Sequence, residues 1–248
     1  MNIVAIVQAR MGSSRFPNKV MADISGRSML AHIVTRLRQA ALVDLVVVAT
    51  TIEPADHAIV EDCWRSFVSV CRGSEKDLIG RIYKTAKIHC ADVVVRITGD
   101  CPMVDPDIVD KVIEKYLTGE WQYVCNVRPS TYPEGLYVGV CSIGLLERLN
   151  NEIEDPVYRE WFPAYIDKNL DPSLMCNVAY EKDLSGLRWT VDYPEDLEFV
   201  RQIYDRLGND FRMDDVLALL GREPELAKIN ARPKDPYHNF PYKEKKIE

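Results

Sequence analysis

Short all-apolar runs alternate with amphipathic stretches along the first half of the 248-residue chain. The runs are too short for helices and rich in valine and isoleucine, which predicts buried strands at residues 3–7, 45–51, 67–71 and 92–98. Apolar residues spaced three and four apart predict helices between them, one with Ile59, Val60 and Trp64 on its inner face. Such an alternation is typical of a mostly parallel sheet with helices on both faces, so we expect an α/β fold.

Capping residues mark where two further helices begin. Ser28, a preferred N-cap residue, precedes a stretch whose apolar positions share one helical face. Asp105 precedes Pro106, and proline is favoured at the first helical position. Asp105 and Asp107 also match the Asp-x-Asp spacing of metal-dependent glycosyltransferases. Capping explains Asp105 without a metal, and we expect that role.

The second half of the chain is less regular. Strand-like segments at residues 122–126 and 136–141 flank a proline-containing loop, and another at 188–192 precedes a helix that starts at Pro194. Asp155 and Pro156 open a helix with a broad aromatic face, formed by Tyr158, Trp161, Phe162, Tyr165 and Ile166. Such a face belongs to the core or packs against a second subunit.

One large domain accounts for most of the chain, because 248 residues can bury a single core. We assign residues 1–220 to this α/β domain and regard 127–175, which includes the aromatic helix, as a subregion of it. Residues 221–248 are rich in proline and charge, which predicts a C-terminal tail that lies on the surface or is partly disordered.

Composition argues against several classes of protein. A net charge of −7 disfavours general nucleic-acid binding, and no apolar run approaches the roughly 20 residues of a membrane span. No secretory segment precedes the first strand. The seven cysteines form no Cys-x-x-Cys pair, and most lie in apolar runs, where cysteine behaves as a buried hydrophobe. We expect a cytoplasmic protein with reduced cysteines and no zinc site.

The first predicted strand runs directly into a loop with three cations. From Gln8 to Lys19 the chain reads Gln-Ala-Arg-Met-Gly-Ser-Ser-Arg-Phe-Pro-Asn-Lys. Backbone N–H groups and fixed cations at the carboxyl end of a strand are how α/β proteins bind phosphate. The segment lacks the Gly-Lys-Ser/Thr ending of a P-loop and the three glycines of a dinucleotide site. It predicts a phosphate-binding loop of another kind, or else an ordinary solvated loop.

Two carboxylates follow other predicted strands. Asp100 comes after Gly99, where no helix start requires an acid, although a turn would explain it. Asp192 ends the segment at 188–192. Ligands of open α/β sheets bind outside the carboxyl ends of the strands, so both acids and the loop can meet in one crevice. Two carboxylates beside phosphates suit Mg²⁺, so we expect a nucleoside triphosphate site with Mg²⁺ as cofactor.

The segment 8–19 closely resembles the signature of the cytidylyltransferases that include CMP-Kdo synthetase, CMP-sialate synthetase and the spore coat polysaccharide protein SpsF, and the SpsF branch is the nearest match. Further similar segments extend the resemblance over nearly the whole chain, at residues 48–51, 72–78, 96–102, 132–135, 188–196 and 225–230. The resemblance implies a Rossmann-like sheet of the nucleotide-diphospho-sugar transferase type, with a small α+β insertion at 127–175 for the acceptor and for dimerisation. It also implies attack of an acceptor hydroxyl on the α-phosphate of CTP, with release of pyrophosphate.

The same resemblance implies roles for individual residues. The nucleotide would contact Gln8, Ala9, Arg10, Met11, Gly12, Ser13, Ser14, Arg15, Lys19, Thr50, Arg72, Gly73, Ser74, Asp77, Thr98 and Gly99. The catalytic residues would be Arg10, Arg15, Lys19 and Asp100, and the Mg²⁺ ligands Asp100 and Asp192. The acceptor would contact Asn126, Ser130, Tyr132, Glu134, Tyr137 and Gly139.

Four positions depart from the SpsF-like pattern, and all lie in the half expected to face the acceptor. Tyr137 and Gly139 stand where the pattern has acids, Ser130 where Arg is common, and Trp161 where His is common. Charge and shape change together, which predicts a different acceptor or else weakened catalysis. Two other functions stay open: a sugar 1-phosphate nucleotidyltransferase, and a nucleotide-binding homologue without turnover. The expected partners are CTP, a small-molecule acceptor and a second copy of the chain.

Overall fold

The computed structural model describes residues 1–232, and a seven-stranded sheet lies at their centre. The strands in chain order are β1 (Ile3–Gln8), β2 (Asp23–Ile24), β3 (Arg27–Ser28), β4 (Leu45–Thr51), β5 (Ser69–Gly73), β6 (Val93–Thr98), β7 (Tyr123–Cys125), β8 (Gly139–Ser142) and β9 (Met175–Asn177). The order in the large sheet is β5-β4-β1-β6-β8-β7-β9, while β2 and β3 form a separate ribbon.

The first half of the chain builds the parallel part of this sheet. β1 pairs in parallel with both β4 and β6, and β4 pairs in parallel with β5. β8 then joins β6 in the antiparallel direction and carries β7 and β9 at its far side. The carboxyl ends of β5, β4, β1 and β6 therefore share one edge of the sheet, where α/β proteins place their ligands.

Helices cover both faces of the sheet, as the alternating pattern predicts. They are α1 (Met29–Leu37), α2 (His57–Arg65), α3 (Leu78–Ile88), α4 (Pro106–Leu117), α5 (Ile143–Glu152), α6 (Pro156–Glu160), α7 (Phe162–Asn169), α8 (Pro194–Leu207) and α9 (Met213–Arg222). Alternate residues of β1 enter different cores: Ala5 and Val7 join the core beneath α1, α4 and α8, whereas Val4 and Ile6 join that beneath α3, α5 and α7. The mostly parallel, Rossmann-like fold is confirmed.

The predicted caps hold the starts of α1 and α4. Ser28 Oγ accepts the backbone N–H of Ala31 at 3.0 Å. Asp105 Oδ1 accepts the N–H of Asp107 at 2.9 Å, and its other oxygen accepts that of Met213 at 2.6 Å. Because Asp105 is buried and both of its oxygens are occupied by backbone donors, it links two helix starts as a structural residue.

Two aromatic side chains just before β5 are not where their apolar character predicts. Trp64 is 63% exposed, since Ile59 and Cys63, four residues apart, form the inner face of α2. Phe67 is 91% exposed and lies in the turn before β5, which begins at Ser69. The placement of Trp64 in the core and of Phe67 in a strand is therefore wrong.

The predicted aromatic helix is interrupted. It divides at Trp161 into α6 and α7, because Pro163 lacks a backbone N–H and is tolerated only in the first turn of a new helix. Phe162 and Ile166 enter the core, whereas Trp161 stays 43% exposed. The single face therefore divides into a buried pair, two half-buried tyrosines at 158 and 165, and the exposed Trp161.

Residues 188–192 do not form a strand of the sheet. Arg188 makes an isolated bridge with Glu134, and the segment then runs beside the end of β6, where Val191 N–H donates to Asp100 O at 2.8 Å. Further along, α9 extends two residues beyond position 220, and Leu226 and Asn230 are buried. Residues 233–248, the rest of the expected tail, lie outside the described part of the chain.

All seven cysteines are free thiols. Cys125 and Cys141 lie in the core, as their apolar surroundings predict. Within residues 1–232, no helix combines the length and apolar character needed to cross a membrane.

Candidate active site

Lys19 connects the first loop to both predicted acids at the carboxyl edge of the sheet. It begins the 3-10 turn Lys19–Met21 and is 7% exposed. Its Nζ lies 2.7 Å from Asp192 Oδ1 and 3.2 Å from Asp100 Oδ2, and it also donates to Val191 O at 2.7 Å. The loop and the two acids, far apart in sequence, therefore meet at one point.

The charges of this group stabilise one another. Burial lowers the pKa of Lys19, but attraction to Asp100 and Asp192 outweighs it, so the pKa is raised overall. Burial in turn raises the pKa of Asp100, but the Lys19 ammonium and hydrogen bonds outweigh it and hold that pKa well below its usual range. Lys19 is therefore charged and Asp100 ionised at neutral pH.

Asp192 is held by cations on both of its oxygens. Its Oδ1 also contacts Arg15 Nη2 at 2.7 Å, and its Oδ2 accepts from Arg188 Nη2 at 2.8 Å. Arg188 further pairs with Glu134 at 2.8 Å and with Asp196 at 3.0 Å. Burial lowers the pKa of Arg188, but attraction to these carboxylates outweighs burial, so the pKa is raised overall. Arg188 lies in a segment that resembles the family, yet sequence reasoning assigned no role to its side chain.

A buried carboxylate fixes the entry to the cation-bearing loop. Asp56 Oδ1 accepts the backbone N–H of Met11 at 2.7 Å, and its Oδ2 accepts from Thr50 Oγ1 and Thr51 N, both at 3.1 Å. Thr50 is fully buried, so its hydroxyl serves Asp56. Sequence reasoning missed Asp56, because the loop residue that it holds, Met11, is distant in sequence and no local pattern indicates that contact.

The tip of the loop is its most open part. Gly12, Ser14 and Arg15 are exposed, while Ser13 Oγ accepts the N–H of Phe16 at 3.3 Å. These residues leave backbone and cationic groups at the mouth of the crevice.

Arg10 projects from the loop between two acids of other elements. Its guanidinium lies 3.5 Å from Glu75 and 3.3 Å from Glu160 of α6. All three side chains are between a third and two fifths exposed, so the contacts are weak and water competes for them. Arg10 is therefore free to exchange these partners for a phosphate.

Gly99 places Asp100 through a close approach to β1. A Cβ at position 99 would lie 2.6 Å from Gln8 O and 3.1 Å from the Ala9 Cβ, so no larger residue fits. The Gly99 N–H donates to Gln8 O at 2.8 Å. Thr98 Oγ1, just before it, lies 3.0 Å from the sulfur of Cys101. This packing turns the chain so that Asp100 faces Lys19.

Side chains of the predicted base and ribose set are largely engaged within the protein. Arg72 donates to backbone carbonyls of residues 51–53 at 2.8 and 2.9 Å. Gly73 ends β5, and the carbonyl of Ser74 accepts from Arg81. These residues form a rim beside the loop.

Asp77 has two structural partners. It caps α3 by accepting the N–H of Gly80 at 3.0 Å. Arg159 of α6 donates two hydrogen bonds to the same carboxylate, at 2.9 and 3.1 Å. Asp77 therefore connects α6 to the start of α3, a contact that the sequence did not indicate.

Two members of the predicted acceptor set brace the protein interior. Asn126 Nδ2 donates to Leu136 O at 2.7 Å, and its Oδ1 accepts from Val138 N at 2.9 Å. Asn126 and Tyr132 are both buried. They position the loop between β7 and β8.

The other acceptor candidates lie closer to the Asp192 cluster. Glu134 joins it through Arg188. Tyr137 is half-buried near Ser130 and Glu134. Burial raises the pKa of the Tyr137 hydroxyl. Gly139 faces Tyr123, whose hydroxyl lies 2.7 Å from where a Cβ of residue 139 would be. Tyr123 therefore occupies the space of the acid expected at position 139.

Comparisons with known proteins agree with this architecture. The model of the cytidylyltransferase family matches residues 4–135. The chain is 30% identical over 240 residues to the spore coat polysaccharide biosynthesis protein SpsF of Bacillus subtilis, covering 91% of this chain and 97% of that protein. It is 36% identical over 120 residues to a 3-deoxy-manno-octulosonate cytidylyltransferase of Pelobacter propionicus, covering 47% and 45%.

A solved structure extends the likeness to three dimensions. A cytidylyltransferase from Leptospira borgpetersenii matches with a TM-score of 0.88 at 31% identity, covering 92% of this chain and 97% of that one. Sequence and fold thus agree over both halves of the crevice. The chain belongs to the cytidylyltransferase family.

Proposed function

We propose that this enzyme transfers CMP from CTP to a hydroxyl of a sugar acid or related metabolite, with release of pyrophosphate. The observation that carries the proposal is the convergence of Lys19 with Asp100 and Asp192 at the mouth of the cationic loop. The names of the relatives SpsF and 3-deoxy-manno-octulosonate cytidylyltransferase support CTP and a role in surface polysaccharide biosynthesis. We place the reaction in the cytoplasm.

The chemistry requires positioning and neutralisation of charge more than a protein nucleophile. Arg10 and Arg15 are about two fifths exposed and meet the crevice from the loop. Their contacts with acids are exchangeable, so both can bind the triphosphate. Lys19 adds a buried charge where the leaving pyrophosphate accumulates negative charge.

The donor set of the crevice fits Mg²⁺. Asp100 and Asp192 already share one cation, the Lys19 ammonium, and carboxylate oxygens are the ligands that Mg²⁺ prefers. Asp100 is the more accessible, with a side chain 29% exposed, whereas Asp192 must exchange a cation to bind metal. Mg²⁺ takes one or two protein carboxylates and completes its shell with phosphate and water, so two acids are enough to hold it. Bound Mg²⁺ would neutralise phosphate charge.

We also propose that the enzyme is a homodimer. Val157 and Trp161 are 42% and 43% exposed on and beside α6, and Tyr158 and Tyr165 stack edge to face next to them. Val157 and Trp161 are thus exposed apolar side chains beside two partly buried tyrosines, and clustered exposed apolar residues mark interaction surfaces. This apolar group lies beside Glu160 and Arg159, which contact the nucleotide side of the crevice.

Ligand-dependent thermal stability tests the nucleotide assignment. With Mg²⁺ present, we expect CTP to raise the melting temperature more than UTP, GTP or ATP, because ligands that bind the folded state stabilise it. Pyrophosphate release is then measured with CTP and a panel of sugar acids and polyols. Equal shifts with all four nucleotides would contradict the proposal.

A further inference from the structure

Arg96 is a half-buried cation without a carboxylate partner in the described chain. Its Nε donates to Gln8 Oε1 at 2.8 Å, and its guanidinium carbon lies 5.4 Å from the centre of the Phe162 ring. No acidic side chain of residues 1–232 comes within ion-pair distance of it. Burial lowers the pKa of Arg96, and the more distant Asp100 offsets this only in part.

The contrast with Arg188 shows what Arg96 lacks. Both arginines lie beside the crevice, but Arg188 contacts three carboxylates, at 2.8, 2.8 and 3.0 Å. Taking a charge out of water is costly unless an opposite charge compensates. Only one neutral acceptor, Gln8 Oε1, compensates the charge of Arg96. Its position is therefore suited to an anionic group of a ligand.

The register of the sheet places Arg96 on the acceptor side. It pairs with Gly139 across the antiparallel strands β6 and β8, and residues directly opposite share a face with their Cβ positions about 5 Å apart. An acid at position 139, as the family-like pattern has, would therefore lie within reach of Arg96. This chain has glycine there, and the Tyr123 hydroxyl occupies the adjacent space. The acid expected at position 139 is therefore absent, while Arg96 is still present.

We propose that Arg96 determines acceptor specificity by binding an anionic group of the acceptor, namely the carboxylate of a sugar acid. Gln8 is a positioning residue: its Oε1 takes the Nε–H and leaves the two Nη groups to form the paired bonds that guanidinium makes with carboxylate. The inference rests on the proposed function, because it concerns the acceptor of the same site.

Binding of charged and neutral sugars tests this role. Wild type and the variants Arg96→Gln and Arg96→Lys are titrated, with a non-hydrolysable CTP analogue and Mg²⁺, against 3-deoxy-manno-octulosonate, N-acetylneuraminate and the neutral ketose fructose. We expect a sugar acid to bind wild type more tightly than fructose, and Arg96→Gln to weaken it roughly ten- to hundredfold, the range of charged hydrogen bonds. Arg96→Lys retains part of that affinity, and fructose binding is unchanged.

Two controls separate this role from a general loss of structure. Arg148→Gln removes an exposed arginine of α5 and leaves all affinities unchanged. Gln8→Glu offers Arg96 an internal carboxylate, and at saturating CTP analogue we expect it to weaken sugar-acid binding more than fructose binding. The melting temperature and its shift with CTP confirm that each variant folds.

The binding measurements distinguish failure of the Arg96 role from failure of the proposed function. No preference of wild type for either sugar acid over fructose overturns the inference, as does an Arg96→Gln variant whose sugar-acid affinity stays within twofold of wild type. Both of these leave the nucleotide assignment intact if CTP still stabilises the protein. Absence of CTP binding by wild type contradicts the proposed function itself.

Discussion

Lys19 shows how much of the site depends on one side chain. Its side chain is 9% exposed, and its ammonium lies between two carboxylates that belong to distant parts of the chain. Removing it leaves two acids facing each other with one cation fewer, and a buried charge that loses its partner is strongly destabilising. Its place in the phosphate loop and its role in folding are therefore connected.

Lys19→Met should abolish CMP transfer and also destabilise the fold. We expect a loss of about 3 kcal/mol in unfolding free energy, the usual scale for breaking a buried ion pair. Urea denaturation and pyrophosphate release measure the two effects, with Lys19→Arg as the conservative variant and the exposed Lys168→Met as control. Full activity of Lys19→Met would contradict the assignment.

The Asp100 carboxylate should make the unfolding free energy depend on pH in the acidic range. Its pKa in the folded protein lies below the unfolded value near 4, so its ion pair with Lys19 stabilises the fold above that pH. This contribution disappears as pH falls through the lower folded value. Wild type should therefore lose more unfolding free energy than Asp100→Asn between pH 6 and pH 3. Parallel pH curves for the two proteins would refute the coupling, and exposed Asp214→Asn serves as control.

At the scale of elements, the regular half of the chain was predictable and the irregular half was not. The strands β1 and β4 follow from their apolar runs, and the starts of α1 and α4 follow from Ser28 and Asp105, because these signals are local. The break at Trp161 and the loss of the strand at 188–192 depend on packing against other elements. Local periodicity carries no information about that packing.

Asp56 joins two of these elements, the loop after β1 and the end of β4. Asp56→Asn replaces one of the two accepting oxygens with an N–H donor, so either the Met11 N–H or the Thr51 N–H loses its acceptor. We expect an unfolding free energy lower by about 2 kcal/mol. Because the loop entry loses its anchor, the Kd for CTP should rise beyond what the stability loss explains. Denaturation and CTP titration measure both, with Glu61→Gln as control, since the Glu61 side chain is 45% exposed on the neighbouring α2. An unchanged Kd would show that the tether does not position the loop.

At the scale of the whole molecule, the apolar group on and beside α6 should be an interface between two copies of the chain. It consists of Val157, Tyr158, Trp161 and Tyr165. Trp161→Glu places a charge in it and is expected to convert a dimer to a monomer, as measured by light scattering. Trp64→Glu is the matched control, since Trp64 is 63% exposed on the distant helix α2 and should leave the dimer intact. A wild-type protein that is monomeric would remove the homodimer from the proposal.

The sequence by itself determined the parallel sheet, the helix starts and the cation-bearing loop, since each depends on residues close together in the chain. It also indicated Asp100 as a partner of that loop, because Asp100 follows a parallel strand and such strand ends share one edge. Asp192 does meet the loop, but the strand expected at 188–192 is not formed, so its position comes from packing beside the end of β6. Only the tertiary structure decided that Lys19 bridges the two acids, that Asp56 and Arg188 hold the site together, and that Arg96 bonds to Gln8 with no carboxylate of residues 1–232 as its partner. Contacts between residues that are distant in sequence arise from packing, and no short pattern specifies them.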